Sequence, residues 1–296
     1  MAASLTPEDM RNVKTLQRSL RDFASSSHTF QVLRSLPQPA PKPPNPPKAL
    51  YVLDSSFNPP TRAHLRICSS ALLEDNPHAV PKRLLLLLAT QNADKAPKPA
   101  VLEQRLAMMS IFAEQLFRDV TASGSGEFGK GNLMVDIGVT KEARFIDKAK
   151  VLEEEASYQE NGTPVEQIHL TGYDTLIRLL DTKYYPPEHT LQPLEGLFEK
   201  HRVRVTRRTG DSWGGRVEQD EYMRGFERGE KEADGGKREW TQRIELVEGR
   251  QEGDAVVSST KVREAAKRKD EEALKNLVTD GVARWIMDEK LYLDEG

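Results

Sequence analysis

Features that assign a protein class at first reading are scarce in this chain of 296 residues. There is a single cysteine, Cys68, which excludes an intramolecular disulfide and a cysteine-rich metal cluster. The longest purely apolar run covers residues 84–89, far fewer than the ~20 residues of a membrane-spanning helix. The formal net charge is -3, so no general positive field attracts nucleic acid or an anionic membrane. We therefore expect neither partner, and any anion site must be built by particular residues.

Apolar residues are also in modest supply. Hydrophobic residues make up 37% of the chain and charged residues 30%, which is polar for a compact protein and places some segments outside the core. The N-terminus lacks the basic and then apolar layout of a secretory signal peptide. These features predict a soluble intracellular protein that is cytoplasmic, nuclear or both.

The first 47 residues contain two segments of distinct composition. Apolar residues at positions 10, 13, 16, 20 and 23 recur at helical spacing, so residues 1–36 are predicted to form an amphipathic N-terminal helical extension that begins at Pro7. Residues 37–47 contain seven prolines in eleven positions, which predicts an extended polyproline II spacer. The helix and the spacer are together a candidate binding surface for a protein partner.

Short apolar runs alternate with amphipathic segments from residue 48 onward, and we expect one domain over residues 48–296. This alternation is typical of an α/β protein with a doubly wound (Rossmann-like) parallel sheet and helices on both faces. A C-terminal helical segment follows. Residues 210–240 are rich in glycine and charge, which predicts a flexible surface insertion. The predicted strands cover residues 49–53, 83–89, 133–138, 167–172, 202–206 and 244–248, and the predicted helices between them cover residues 61–73, 102–117 and 174–180.

The stretch LDSSFNPPTRAHL, residues 53–65, follows the first predicted strand of this domain and begins its first helix. Doubly wound folds bind phosphates at this position, because a helix N-terminus presents unpaired backbone N–H groups and a partial positive charge. Ser55 and Ser56 add hydroxyl donors. Thr61 and His64 lie on one face of the first helical turn, where both can reach one phosphate chain. The alternative is that Thr61 only caps a helix on which His64 is an ordinary polar residue.

A second motif of the same kind occurs near the C-terminus, in VVSSTKVREA at residues 256–265. Three hydroxyl residues, Ser258, Ser259 and Thr260, precede a predicted helix, and Arg263 lies one turn inside it. Hydroxyl and backbone N–H groups at a helix start, together with a guanidinium, form a phosphate clamp. A serine cap followed by a solvated basic face is the alternative.

Together these motifs resemble those of the nicotinamide mononucleotide (NMN) adenylyltransferases, and most closely the divergent fungal branch of that family. SSFNPPTRAHL is similar to the family's Gly-Ser-Phe-Asn-Pro turn followed by Thr-x-x-His, and VSSTKVR is similar to its Ile-Ser-Ser-Thr-x-Ile-Arg clamp. TGYD, which contains Gly172 and Asp174, resembles its Gly-x-Asp motif. RVTRR resembles its Val-Thr-Arg-x-Gly segment, so that Arg207 or Arg208 is the equivalent basic residue.

The resemblance implies a nucleotidyltransferase domain that transfers an adenylyl group from ATP to the phosphate of NMN, yielding NAD and pyrophosphate. Mg²⁺ would arrive with ATP, and no residue is assigned as a metal ligand. Asp174 would bind a ribose hydroxyl, and the backbone from Ser55 to Phe57 would approach the reacting centre. Lys95, in a loop after the second strand, is a further candidate for phosphate contact or an exposed lysine without a role. The ATP phosphates would be contacted by residues of both motifs: Thr61, His64, Ser259, Thr260 and Arg263.

Two departures from the family pattern concern the reacting centre and the acceptor. Ser55 stands where the family motif begins with glycine, and its side chain could narrow a site that backbone must approach closely. The segments after the third and fourth strands lack the tryptophans on which the family stacks nicotinamide. Phe145, Tyr184 or Tyr185 could replace them, or could pack in the core. Two alternatives follow: an adenylyltransferase or ATP hydrolase acting on another acceptor, and a nucleotide-binding adaptor without turnover.

Overall fold

A seven-stranded sheet lies at the centre of the computed structural model, which describes residues 7–38, 47–74, 81–91, 100–123, 132–208, 213–249 and 256–293. The strands, in chain order, are β1 (Phe30–Leu36), β2 (Ala49–Asp54), β3 (Lys82–Ala89), β4 (Leu133–Thr140), β5 (Gln159–Glu160), β6 (Thr163–Pro164), β7 (Glu166–Gly172), β8 (Arg202–Thr206) and β9 (Ile244–Val247). Strands β5 and β6 form a separate hairpin. Each of the six predicted strands is present, whereas β1 and the small hairpin are additional.

The order of strands in the sheet is β1-β4-β3-β2-β7-β8-β9. Six strands are parallel, and β1 runs antiparallel to β4 at one edge. The chain winds outward from β2 through β3 to β4, and then winds the opposite way from β7 to β9. The predicted doubly wound sheet is therefore confirmed. Sheets of this kind bind ligands beyond the carboxyl ends of the strands where the winding reverses, which is here between β2 and β7.

Helices cover both faces of the sheet, as predicted. Successive residues of a strand point to opposite faces, so Tyr51 and Leu53 of β2 contact one layer while Leu50 and Val52 contact the other. Within the described ranges, no helix is long and apolar enough to cross a membrane. The first layer contains α1 (Pro7–Ser25), α2 (Arg62–Leu73), α3 (Leu102–Ser123) and the C-terminal helices α8 (Ser259–Lys267), α9 (Glu271–Leu277) and α10 (Asp280–Asp288); the second contains α4 (Phe145–Glu154), α5 (Tyr173–Leu179), α6 (Glu195–Lys200) and α7 (Arg216–Glu227).

The N-terminal segment packs on the sheet and does not stand apart as a helical extension. As predicted, α1 begins at Pro7. It packs against α3, and Leu16 and Phe23 are buried in the shared core. Strand β1 then pairs with β4, and Arg34 within it forms a 2.7 Å ion pair with Glu114 of α3. The spacing of apolar residues predicts the helix but carries no information on the partner of β1. Residues 39–46 of the proline-rich spacer lie outside the described residues.

The charged segment 210–240, expected to be a flexible surface insertion, contains a helix and a packed aromatic group from Trp213 onward. Phe226 of α7 and Trp240 are buried. Trp240 stacks on Phe198 with ring centroids 5.0 Å apart, and Phe226 meets Trp240 edge-on at 6.4 Å. Composition does not reveal this arrangement, because a few large aromatic side chains can anchor a helix whose exposed face is charged.

Candidate active site

The turn from β2 to α2 lies at the position where the winding of the sheet reverses. The backbone N–H of Ser55 donates to the carbonyl of Leu87 (3.2 Å), which ties the start of the turn to β3. Phe57 has a φ of 44°, in the left-handed region that costs a non-glycine residue about 1 kcal/mol. Its side chain is wholly buried, and that burial offsets the cost. The turn therefore presents a half-buried Ser55 and an exposed Ser56 at the carboxyl edge of the sheet.

The first turn of α2 orients the imidazole of His64. Its Nδ1 accepts a hydrogen bond from the backbone N–H of Thr61 (2.9 Å) and lies 2.8 Å from the hydroxyl of the same residue. Because Nδ1 is an acceptor, the neutral ring carries its proton on Nε2. Nε2 lies 3.0 Å from Oγ of Ser55 and donates to it. The pair of residues that the sequence places one turn apart therefore forms one hydrogen-bonded chain with Ser55.

The surroundings of His64 determine its charge. Burial, and to a lesser extent the positive charge of Arg208, lower the pKa of His64 from 6.5 to about 4. The half-buried ring is consequently neutral at pH 7. It offers an oriented N–H donor without a charge of its own.

The start of α8 is capped, as one of the two sequence interpretations predicts. The hydroxyl of Ser258 accepts a hydrogen bond from the backbone N–H of Lys261 (3.3 Å). Capping therefore accounts for Ser258. It does not account for the residues that follow, whose side chains contact another part of the chain.

Ser259 and Arg263 join the two motifs, which are about 200 residues apart in the sequence. The hydroxyl of Ser259 donates to the carbonyl of Pro59 (2.9 Å), and the guanidinium of Arg263 donates to the carbonyl of Asn58 (2.9 Å). The same guanidinium donates to the hydroxyl of Thr260 (3.2 Å). The N-terminus of α8 thus lies against the turn that leads into α2, and the hydroxyl, imidazole and guanidinium groups form one polar surface.

The TGYD segment holds a second cation, Arg208, beside this surface. A Cβ atom on Gly172 would lie 2.7 Å from a carboxylate oxygen of Asp174, so only glycine fits there without displacing that carboxylate. Asp174 forms a 3.1 Å ion pair with Arg208, the residue whose charge acts on His64. Arg207 instead forms ion pairs with Asp220 of α7 and with Glu248. Of the two arginines that the sequence offers, the structure therefore places Arg208 beside the other predicted residues.

The aromatic candidates for stacking occupy different environments. Tyr185 is buried, and its hydroxyl donates to the carbonyl of Leu179 (2.7 Å), so its ring is part of the core. Tyr184 is half-buried and packs against the same apolar cluster. Phe145, at the start of α4, is half-buried, and its ring centroid lies 4.6 Å from that of His169. Phe145 packs against the same cluster as Tyr184, and its contact with His169 places its ring against β7, the neighbour of β2 in the sheet.

Comparison with known proteins assigns a family to this arrangement. No protein-family model matches the chain. The chain is 30% identical over 280 residues to a Schizosaccharomyces pombe protein named "Putative nicotinamide mononucleotide adenylyltransferase", with 94% of this chain and 96% of the relative covered. The chain belongs to the nicotinamide mononucleotide adenylyltransferase family.

Solved structures share the fold of this family member. A structure titled as Plasmodium falciparum nicotinic acid mononucleotide adenylyltransferase with NaAD aligns with a TM-score of 0.52 and 13% identity, covering 82% of this chain and 97% of that one. A second structure of the same enzyme, with APC, aligns with a TM-score of 0.51 and 13% identity, covering 82% and 96%. At this identity the likeness establishes a common α/β fold.

One ion pair close to the site is not predicted from the sequence. The ammonium of Lys148 on α4 is 2.6 Å from a carboxylate oxygen of Asp54, the last residue of β2. The position of Asp54 at a strand end, directly before Ser55, is a signal that could have drawn attention to it. Lys148 offers no such signal, because it reaches the site only when α4 packs on the sheet. Lys95 lies outside the described residues.

The donor groups of the site suit phosphate better than a metal ion. In the described part of the chain, no group of three or more His, Cys, Asp or Glu side chains is placed to hold a metal. The carboxylates of Asp54 and Asp174 are paired with Lys148 and Arg208. The other groups of the site are hydroxyl, backbone amide, imidazole and guanidinium groups, which hydrogen-bond anionic oxygens, whereas Mg²⁺ prefers carboxylate and phosphate oxygens. Such a surface can bind and align phosphate groups.

Proposed function

We propose that this protein transfers the adenylyl group of ATP to the phosphate of NMN, forming NAD and releasing pyrophosphate. The observation that carries the proposal is the contact between the two motifs, in which Ser259 and Arg263 hold the turn that precedes His64. Two helix N-termini, those of α2 and α8, are thereby brought to one edge of the sheet, where each favours an anion. The name of the S. pombe relative supports the same activity.

In the proposed reaction an oxygen of the NMN phosphate attacks the α-phosphorus of ATP, and the bond from that phosphorus to the oxygen bridging to the β-phosphate breaks. No nucleophile from the protein is needed. The Nε2–H of His64, which donates to Ser55 in the structure, would donate to a phosphate oxygen that takes the place of the hydroxyl. The contacts with Thr61 hold the ring in that orientation before ATP binds.

The cations would act on the charge of the leaving group. Arg263 and Thr260, which are already hydrogen-bonded to each other, would contact the β- and γ-phosphates. Arg208 lies close enough for its charge to act on His64, and it is paired with Asp174, whose carboxylate is also the candidate contact for a ribose hydroxyl. Mg²⁺ would enter bound to the ATP phosphates and would neutralise part of their charge.

The test is a direct assay of the purified protein with ATP, Mg²⁺ and NMN, in which NAD and pyrophosphate are both measured. We expect the two products in equal amounts. Arg263→Ala should lower turnover at least tenfold, about 1.4 kcal/mol of transition-state stabilisation. Arg268→Ala, which removes the same charge from an exposed position at the other end of α8, is the matched control and should leave turnover unchanged.

Other outcomes would replace the proposal with one of its alternatives. Release of phosphate from ATP without any NAD would indicate an ATP hydrolase, and a dinucleotide formed only with another acceptor would indicate a different substrate. Saturable binding of ATP without turnover would indicate an adaptor.

A further inference from the structure

The ion pair between Lys148 and Asp54 lies on the α4 side of the sheet, at the carboxyl end of β2. The two side chains are only 10% and 17% exposed, with the ammonium 2.6 Å from one carboxylate oxygen. Thr171, on the neighbouring strand β7, is 6% exposed. The last paired residues of β2 and β7 are Val52 and His169, which lie two residues before Asp54 and Thr171. The side chains of Asp54 and Thr171 therefore project from the same face of the sheet.

An aromatic ring borders these polar groups. Phe145 precedes Lys148 by three residues on α4, so the two side chains lie on one face of that helix. The half-buried ring of Phe145 contacts the ring of His169, which is on the same face of β7 as Thr171. A flat ring, an ammonium, a carboxylate and a hydroxyl therefore lie on one face of the sheet, beside the point where its winding reverses.

These polar groups retain hydrogen-bonding capacity. Among the residues that the structure describes, the side chains of Lys148 and Asp54 hydrogen-bond only to each other, and the buried hydroxyl of Thr171 has no partner. The pair therefore offers N–H donors next to a carboxylate oxygen that can still accept. A carboxamide, which has one carbonyl acceptor and one NH₂ donor, complements both. A carboxylate has acceptors only and would face the like charge of Asp54.

We propose that the Asp54–Lys148 pair, with Thr171, contacts the carboxamide of the acceptor's pyridine ring and selects nicotinamide over nicotinate mononucleotide, an inference that rests on the proposed function. The carboxamide NH₂ donates to Asp54, and its carbonyl accepts from Lys148 or from Thr171. Asp54 neutralises the lysine, so no net positive charge is left to attract a nicotinate carboxylate. Discrimination comes from repulsion of the wrong acceptor as well as from attraction of the right one.

The experiment compares kcat/KM for the two acceptors, with ATP and Mg²⁺, in the wild type and two variants. Asp54→Asn keeps the shape but leaves the charge of Lys148 uncompensated, so the preference for nicotinamide over nicotinate should fall about tenfold or more. Lys148→Gln leaves the charge of Asp54 uncompensated, so the preference should rise. Asp147→Asn, which breaks the exposed Arg144–Asp147 pair on the same helix, is the control and should not change the ratio.

The outcomes separate this inference from the proposed function. A wild type that forms neither dinucleotide overturns both. A wild type that forms NAD while both variants slow the two acceptors equally overturns only the selectivity, because a merely structural ion pair lowers both rates together. A wild type that prefers nicotinate also overturns it. If thermal unfolding shows that Asp54→Asn does not fold, Lys148→Gln alone tests the inference. A rise in its preference for nicotinamide over nicotinate would support the inference, and no rise would overturn it.

Discussion

Replacing His64 by alanine is expected to lower kcat/KM for NAD formation by about 10- to 150-fold. The imidazole has one donor available for substrate, the Nε2–H that now points at Ser55. A hydrogen bond to a charged group contributes about 1.5–3 kcal/mol, and each 1.4 kcal/mol is a factor of about ten in rate. Since the ring is neutral at pH 7, no loss of a full positive charge adds to this figure. The loss should appear mainly in kcat if the bond strengthens as charge develops on the phosphates.

The assay is steady-state release of pyrophosphate at saturating ATP and Mg²⁺ with NMN varied. His64→Gln, whose amide can place an N–H near the position of Nε2, should recover part of the activity. Ser69→Ala, further along α2, is the control and should behave as wild type. The same alanine at position 64 leaves the backbone N–H of Thr61 without its acceptor, which should reduce the free energy of unfolding by about 1 kcal/mol. Wild-type turnover in His64→Ala would show that the residue only caps its helix and that phosphate binds elsewhere.

Three further predictions concern acidity, a glycine and the aromatic core. His64 has a pKa of about 4 in the folded protein and 6.5 when unfolded, so the unfolded state binds more protons between these values. Its contribution to the free energy of unfolding should fall by up to about 3 kcal/mol as the pH drops from 6.5 to 4. Urea titrations across this range should show the slope, and His64→Ala should make it shallower but leave the part due to His169, whose pKa burial lowers to about 3. Gly172→Ala should displace the carboxylate of Asp174 and lower kcat/KM. Gly196→Ala, whose Cβ meets nothing within 4 Å, is the control and should leave kcat/KM unchanged. Equal effects of the two substitutions on kcat/KM would rule out the steric argument. Trp240→Ala should reduce the free energy of unfolding, measured by urea titration, by about 3–5 kcal/mol, because the ring is buried against Phe198. A change below roughly 0.5 kcal/mol, the size expected of an ordinary surface substitution, would show that the aromatic group is not part of the core.

Parts of the site whose contacts join residues close together in the sequence could be predicted, whereas parts whose contacts join distant residues could not be derived from local rules. Thr61 and His64 touch within one helical turn, where spacing along the chain determines geometry. The contact of Ser259 with Pro59 joins residues about 200 positions apart, and no local rule relates them. It was the resemblance of both motifs to those of one family that predicted that they lie close together. Whether these residues bind ATP stays a prediction.

The choice between the two arginines after β8 shows why adjacent residues can differ. Arg207 and Arg208 have equal claims in the sequence. The former is paired with Asp220 because α7 packs beside it, and the latter with Asp174 because α5 begins next to it. The sequence offers Tyr185, Tyr184 and Phe145 equally as stacking rings. In the structure the hydroxyl of Tyr185 donates to the carbonyl of Leu179, and its ring is buried in the core.

By itself the sequence determined the six parallel strands, the helices between the early ones and the local geometry at the start of α2. It could do so because a parallel strand covered on both faces must be apolar throughout, and because capping and helical spacing act within a few residues. Only the tertiary structure decided that β1 joins the sheet, that part of the charged segment is anchored by Trp240, and that Lys148 reaches Asp54. Each of these depends on which surfaces of distant segments meet, and that is a property of packing between elements and not of any single stretch of chain.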